Sequence, residues 1–226
     1  MSSDSPVEPL ENSDSLQRWS WVFLVVLVLS ALLRLLWSSS IHVEHYDEGV
    51  YASNRWFTPE EGARYPDRHL YAPPLWPAVL EMSQLALGTG SLGVMLPGIF
   101  CGVMSVWLMW KIVNAWVGPK EALASALILA ISGYHIFFSR TALTDVPVTM
   151  WMLGAIYLFW KAIDQERLGV AIGAGLLTGL AWSTKYNGWF PLAVSGAGLL
   201  AANLFHVKQS GFAWRKWRCW GVALVV

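Results

Sequence analysis

An adjacent pair of carboxylates, Asp47 and Glu48, follows closely after the first long apolar run of this sequence. Tyr46 and Tyr51 flank the pair. A carboxylate near a membrane surface can act as a general base, taking a proton from a group within hydrogen-bond reach. The same pair in a solvated loop would have no chemical role. Taken alone, the motif leaves both interpretations open.

Three more ionisable residues, Arg140, Asp145 and Lys185, stand in two short connections between later apolar runs. An arginine fork and a lysine point charge both suit a phosphate group. Each residue also has an ordinary structural explanation. Asp145, which shortly precedes Pro147, is typical of a helix N-cap region, and basic side chains snorkel at the ends of membrane helices.

The long segment 38–91 contains further ionisable residues. They are Arg55, Arg64, Asp67, Arg68 and His69. Its second part, 74–87, is apolar but short, and Glu81 interrupts it. We predict an amphipathic helix lying at the membrane interface, entered through Pro73-Pro74. Counting it as a span would invert every later loop against the positive-inside rule.

The elements that must position these residues are predicted to be transmembrane helices. Hydrophobic residues make up 55% of the chain and charged residues 13%, which is typical of a polytopic membrane protein. Apolar runs long enough to cross a bilayer occupy residues 19–37, 92–113, 121–139, 146–162, 168–184 and 188–206. A further run begins at Cys219 and reaches Val226, so we expect an N-terminal fragment of a longer protein.

Residues 1–18 carry acidic residues together with Ser and Pro, which predicts a disordered cytoplasmic tail. Because this flank is acidic and the run 19–37 is long, we predict that the first run is a retained helix rather than a cleaved signal peptide. Zero net charge gives no general reason to expect a nucleic-acid partner. Cys101 and Cys219 are interpreted as packing residues, with no metal-binding spacing.

Basic residues indicate the orientation of the predicted spans. If the spans alternate, one side holds Lys111, Lys120, Lys161, Arg167, Lys208, Arg215, Lys216 and Arg218. That side should be the cytoplasm, which places Asp47, Arg140, Asp145 and Lys185 together at the outer face. Helix packing is predicted through small residues at Gly169, Gly173, Gly175, Gly179, Gly196 and Gly198.

Four short motifs occur in a fixed order along the chain. They are His45-Tyr46-Asp47-Glu48, Tyr71-Ala72-Pro73-Pro74-Leu75-Trp76, Ser139-Arg140 with Asp145, and Ser183-Thr184-Lys185. In this order the sequence resembles integral-membrane glycosyltransferases of the GT-C type, and most closely the family of protein O-mannosyltransferases and lipid A aminoarabinose transferases. The resemblance implies an all-α, polytopic transmembrane helical bundle over residues 19–226, with interfacial helices in the outer loop 38–91.

The resemblance also implies a reaction. A sugar would pass from a polyprenyl-phosphate donor to a protein, lipid or glycan acceptor, with inversion, at the outer face of a bacterial inner membrane. Asp47 would be the general base, Glu48 its support and Asp145 a second acidic residue. Arg140 and Lys185 would be candidates for holding the donor phosphate. Some family members use a divalent metal, for which Asp47 and Asp145 are the candidate ligands.

One departure from the family pattern concerns Ala72, where many bacterial relatives have a lysine before the Pro-Pro pair. Either His69 or Arg68 supplies the missing positive charge, or the donor phosphate is held differently in this chain. The identity of the donor therefore stays open. A transporter or lipid flippase, with Arg140, Asp145 and Lys185 lining a substrate path, is the alternative function. Transporters place such groups near the bilayer midplane, so gathering at one face favours the enzyme. A purely structural membrane subunit fits this distribution poorly.

Overall fold

The computed structural model of the protein describes residues 13–36, 38, 43, 45–55, 57–58, 73–205 and 212–226. The regular elements of these residues are helices, as the all-α prediction requires. They are α1 (Ser13–Leu35), α2 (Tyr46–Ser53), α3 (Leu75–Leu87), α4 (Ser91–Trp116), α5 (Pro119–Ile131), α6 (Gly133–Ser139), α7 (Asp145–Gln165), α8 (Leu168–Thr184), a 3-10 turn (Tyr186–Trp189), α9 (Phe190–Phe205) and α10 (Phe212–Val225).

Four helical segments are long and apolar enough to cross a membrane. They are Arg18–Leu35, Ser91–Trp116, Asp145–Gln165 and Tyr186–Phe205. A fifth crossing is formed if the bent pair α5 and α6 counts as one span, and α8 is apolar but shorter. The prediction of a polytopic helical bundle is therefore confirmed.

The predicted third run, 121–139, is not one continuous helix. α5 and α6 meet at an angle of 61°, and Ser132 between them has an extended backbone with φ −60° and ψ 111°. The Ser132 hydroxyl accepts a hydrogen bond from the backbone N–H of His135 at 3.4 Å. α5 therefore ends and α6 begins at Ser132-Gly133, within one apolar run. A serine at an N-cap accepts a backbone N–H of the following helix and so favours a new helix start at this point.

Several helices extend beyond the predicted boundaries. α1 begins at Ser13, inside the segment 1–18 for which disorder is predicted; residues 1–12 lie outside the described residues. α4 includes Lys111 and α7 includes Lys161. Lys216 lies within α10 rather than in a loop before it. Several of the basic residues assigned to the inner connections thus lie within helices. Lys208 lies outside the described residues.

α4 packs against α1, α3, α5, α6 and α7. On one side, Val106 packs with Phe23 of α1 and Ala126 of α5. On the other side, the core joins α4 to α2, α3 and α7, and it includes Trp76 and Met150. The packing interpretation of the cysteines is confirmed, since Cys101 and Cys219 are buried free thiols.

The predicted glycine contacts are present at some positions. A β-carbon at Gly175 would lie 2.6 Å from the carbonyl oxygen of Ala223 in α10. Gly173 and Gly196 similarly face side chains of neighbouring helices at 3.1 Å. Gly169, Gly179 and Gly198 have no neighbour within 4 Å of such a carbon among the described residues. Close helix approach is therefore confirmed for half of the set.

α3 confirms the helix predicted at 74–87, and its 13 residues are too few to cross a bilayer. Its polar residues bind the preceding segment. The buried Glu81 carboxylate accepts the backbone N–H groups of Phe57, at 3.0 Å, and Thr58, at 2.8 Å. Gln84 donates to the Ala52 carbonyl oxygen at 3.0 Å and accepts from Arg55 at 2.8 Å. Glu81 and Gln84, which the sequence shows only as polar residues within an apolar run, thus tether α3 to α2 and to the residues that follow α2.

Candidate functional site

A cleft with a volume of about 450 Å³ opens where α2, the start of α7 and the end of α8 meet. It joins predicted site residues that are far apart in sequence. Its lining includes Asp47 and Tyr51 from α2, Thr144 and Asp145 at the start of α7, and Lys185, Tyr186 and Asn187 after α8. The structure therefore brings Asp47, Asp145 and Lys185 to one place.

Lys185 and Asp145 form an ion pair at this cleft. The Lys185 ammonium lies 2.6 Å from Asp145 Oδ1, and the two side chains remain 40% and 51% exposed. α7 begins at Asp145 and packs along α8, which ends just before Lys185. The helix hairpin thus places the first residue of one helix beside the last turn of the other. An exposed pair of this kind stabilises a fold by only about 0.2–1 kcal/mol, so its main importance is its position.

Asp47 lies in the first turn of α2, which is held by a reciprocal cap. His45 Nδ1 accepts the Asp47 backbone N–H at 3.3 Å, and Glu48 Oε2 accepts the His45 backbone N–H at 3.0 Å. An acidic side chain is favourably placed in the first turn of a helix. The partly buried Asp47 side chain lines the cleft, where a carboxylate can accept a proton from a group within hydrogen-bond reach.

Glu48 has surroundings unlike those of Asp47. Its side chain is 3% exposed, and its Oε1 accepts the backbone N–H of Ala142 at 2.8 Å. The carbonyl oxygen of the same Ala142 accepts a hydrogen bond from Trp76 Nε1 at 2.6 Å. Glu48 and Trp76 therefore hold one residue of the connection 140–145 between them. The contacts of Glu48 serve to position α2 against this connection.

Arg140 is not among the residues that line the cleft. Its Nε donates to the Arg34 carbonyl oxygen at 3.1 Å, and Nη2 donates to the Leu33 carbonyl oxygen at the end of α1. Partial burial lowers the pKa of Arg140, although a guanidinium stays charged at neutral pH. A phosphate-binding role for Arg140 stays a prediction. Arg68 and His69 lie outside the described residues.

The predicted metal ligands Asp47 and Asp145 line the same cleft, but Asp145 is already neutralised by Lys185. Among the described residues, no group of three or more His, Cys, Asp or Glu side chains gathers to hold a metal ion. A divalent ion would need further oxygen ligands, such as those of a phosphate. A metal between these two carboxylates stays a prediction. His135 lies with Nδ1 2.7 Å from Arg34 Nη2.

Comparison with known proteins identifies the family. Residues 71–225 match the sequence model described as dolichyl-phosphate-mannose-protein mannosyltransferase. The chain belongs to this mannosyltransferase family. The resemblance to membrane glycosyltransferases is thus confirmed, and the match includes Asp145 and Lys185.

Individual relatives in this mannosyltransferase family are similar over part of their length. The polyprenol-phosphate-mannose--protein mannosyltransferase of Mycolicibacterium smegmatis is 30% identical in an alignment of 165 positions that covers 61% of this chain and 31% of the relative. The undecaprenyl phosphate-alpha-4-amino-4-deoxy-L-arabinose arabinosyl transferase 2 of Pseudomonas fluorescens is 27% identical in an alignment of 187 positions that covers 76% of this chain and 31% of the relative. The chain spans between 16% and 31% of the length of the curated relatives that it matches.

Sequence reasoning missed several residues of the cleft and its supports. Tyr51 follows Asp47 by one helical turn, and Asn187 closely follows Lys185; both spacings are visible in the sequence. Trp76 was noted as part of a motif, but its bond to Ala142 was not expected. That bond depends on how α3 packs against the connection 140–145, and no local pattern encodes it.

Proposed function

We propose that the protein is an inverting glycosyltransferase. It transfers a sugar from a polyprenyl-phosphate donor to a protein, lipid or glycan acceptor at the outer face of a bacterial inner membrane. The observation that carries this proposal is the cleft that joins Asp47 to the Lys185–Asp145 pair. Membership of a mannosyltransferase family supports it. The names of relatives, which include mannose and aminoarabinose transferases, support a polyprenyl-phosphate donor.

Asp47 is the general base in this proposal. Its carboxylate takes the proton of the acceptor hydroxyl while the acceptor oxygen forms a bond to the anomeric carbon. The bond between that carbon and the phosphate oxygen breaks, and its electron pair leaves with the polyprenyl phosphate. Attack from the face opposite the leaving group inverts the anomeric configuration. The proton ends on Asp47 and returns to water after product release.

Lys185 meets the charge that develops on the leaving phosphate. An ammonium has three N–H donors, and the ion pair with Asp145 uses one of them. Within the part of the chain that the structure describes, the other donors have no further partner, so we assign them to phosphate oxygens in the cleft. A fixed cation directed at developing negative charge lowers the barrier most in a site that excludes water. Asp145 contributes by holding the ammonium in place.

The test is in-vitro transfer by the full-length protein with a panel of labelled polyprenyl-phosphate sugars that includes mannose and aminoarabinose. Asp47→Asn keeps the shape of the side chain and removes the base, so kcat is expected to fall by about 10²–10⁴-fold. Mass spectrometry of the product identifies the transferred sugar and its acceptor.

Asp164→Asn is the matched control, because Asp164 is an exposed carboxylate near the other end of α7. It should transfer at the parental rate. Undiminished transfer by correctly inserted Asp47→Asn protein would rule out Asp47 as the base. Absence of transfer from every donor would reject the proposed reaction.

A further inference from the structure

Arg34, near the end of α1, is fully buried and touches two other helices. Its Nη1 donates to the hydroxyl of Ser30 at 2.7 Å and to the carbonyl oxygen of Ala130 at 3.2 Å. Nε donates to Ser139 Oγ at 3.2 Å, and Nη2 lies 2.7 Å from Nδ1 of His135. None of these described partners is a carboxylate. The guanidinium joins α1 to α5 and α6 through hydroxyl and carbonyl oxygens and an imidazole nitrogen.

The bend between α5 and α6 explains why a cation is stable there. A helix leaves its last four carbonyl groups without helical partners, and the Ala130 carbonyl belongs to this group in α5. An unsatisfied carbonyl in an apolar surrounding is costly, and a cation is favoured at the negative end of a helix dipole. Arg34 supplies both the donors and the charge at this position.

Arg140 makes the reciprocal contact. It follows α6 and donates to the carbonyl oxygens of Leu33 and Arg34, in the last turn of α1. Arg140 therefore caps the end of α1, from which Arg34 projects. Arg34 in turn caps the end of α5 and binds side chains of α6. We call Arg34 and Arg140 the arginine clasp.

Two glycines of α4 leave room for the clasp. A β-carbon at Gly102 would overlap Ser139 Oγ and lie 2.8 Å from Arg34 Nε. A β-carbon at Gly98 would lie 2.8 Å from the Ser139 carbonyl oxygen and 3.0 Å from that of Thr141. The spacing of the two glycines places them on one helix face, as in close helix packing. The clasp is thus enclosed on a third side by α4.

We propose that Arg34 is a positioning residue for the candidate site. Arg34 donates a hydrogen bond to Ser139, and the connection 140–145 begins directly after Ser139 and leads to Asp145. Arg140, the first residue of that connection, is bound to the end of α1. Neither arginine lines the cleft. The consequence for sugar transfer rests on the function proposed above, whereas the clasp itself is a structural statement that can be tested without any substrate.

Thiol labelling of the full-length protein tests the clasp without an activity assay. Thr141→Cys introduces a thiol at a position that is 6% exposed, and the native Cys101 and Cys219 are buried. Arg34→Met should open the connection locally and accelerate maleimide labelling at position 141 by about tenfold or more. Arg18→Met, which removes an exposed arginine near the other end of the α1 span, should leave the labelling rate unchanged.

Steady-state kinetics, expressed per inserted molecule, test the positioning role. Arg34→Met is expected to displace Asp145 and Lys185. A displacement of about 1 Å is enough to lower kcat/KM on the order of 10²-fold. Arg34→Lys keeps the charge but cannot reach acceptors on two helices at once, so it should recover only part of the loss. A role limited to global stability would reduce the amount of inserted protein and leave kcat and KM per molecule unchanged.

Each result decides a separate point. Parental labelling in Arg34→Met overturns the clasp, and faster labelling with parental kcat and KM overturns the positioning role. If no donor is used by the parent protein, the proposed function fails while the labelling rates still judge the clasp. If Arg34→Met does not insert, Gly102→Ala replaces it, since its β-carbon must displace Ser139; parental labelling in that variant contradicts the clasp.

Discussion

Asp47 and Glu48 are neighbours in sequence, yet their carboxylates have different surroundings. Glu48 is buried and accepts backbone N–H groups from His45 and Ala142, whereas Asp47 lines the cleft. Burial disfavours a charged carboxylate, and hydrogen bonds from backbone donors offset that cost. Glu48 therefore supports the structure of the site, whereas Asp47 is the carboxylate that lines the cleft.

Glu48→Gln should therefore reduce stability. An amide offers a single acceptor oxygen, so one of the two backbone N–H groups loses its partner. The expected loss in the free energy of unfolding is about 1–3 kcal/mol. Thermal unfolding in detergent measures it, with Asp47→Asn as the matched neighbour, whose stability should change by less than about 0.5 kcal/mol. Equal destabilisation by the two variants would contradict this division of roles.

The 3-10 turn Tyr186–Trp189 is the element that sets the position of Lys185. The Gly188 N–H donates to the Lys185 carbonyl oxygen at 2.8 Å, and a β-carbon at Gly188 would overlap the backbone of Ala181 and Trp182 in α8. Only glycine allows the turn to lie this close to the helix. The close contact between the turn and α8 therefore helps to determine the position of Lys185 after the helix end.

Gly188→Ala should push the turn away from α8 and move Lys185. The expected result is a destabilisation of about 1–3 kcal/mol, accompanied by a rise in the KM for the donor. Gly198→Ala is the control, because the same change in α9 meets no described atom within 4 Å. Kinetics and thermal unfolding of both variants provide the measurement. Parental behaviour of Gly188→Ala would show that the turn does not depend on this contact.

The sequence predicts most of the helices but not all of their breaks. α4, α7 and α8 follow from the length of their apolar runs, and α3 follows from a short run after Pro73-Pro74. The bend at Ser132 was missed because counting apolar residues does not register a capping serine within a run. Hydropathy identifies the apolar segments, whereas capping residues determine where the helices within a segment end and begin.

The candidate site was predictable to a similar extent. Asp47, Asp145 and Lys185 were brought to one face by counting alternating spans, and the structure gathers them at one cleft. Arg140 could not be assigned in this way. A snorkelling arginine and a capping arginine have the same local sequence, and the difference depends on which helix end lies nearby. Here that end belongs to α1, distant in sequence.

Orientation of the whole molecule in the membrane is testable with exposed positions at its two ends. Asn187 lies at the cleft, and Gln165 lies at the far end of α7; both are exposed. In intact cells, a membrane-impermeant maleimide should label Asn187→Cys, since the positive-inside rule places the cleft outside. Gln165→Cys should react only after permeabilisation. The reverse pattern would place the cleft on the cytoplasmic side.

The contacts of Ala142 concern the peptide groups of the chain rather than a polar side chain. Glu48 accepts its N–H and Trp76 donates to its C=O. On either side, Arg140 is bound to the end of α1 and Asp145 to Lys185. Arg140 and Asp145 are held by their side chains, but the stretch between them is specified by its length more than by its composition. Insertion or deletion of a single residue between 140 and 145 would break all three attachments together, so related chains that keep this geometry should differ there by substitution and not by gaps.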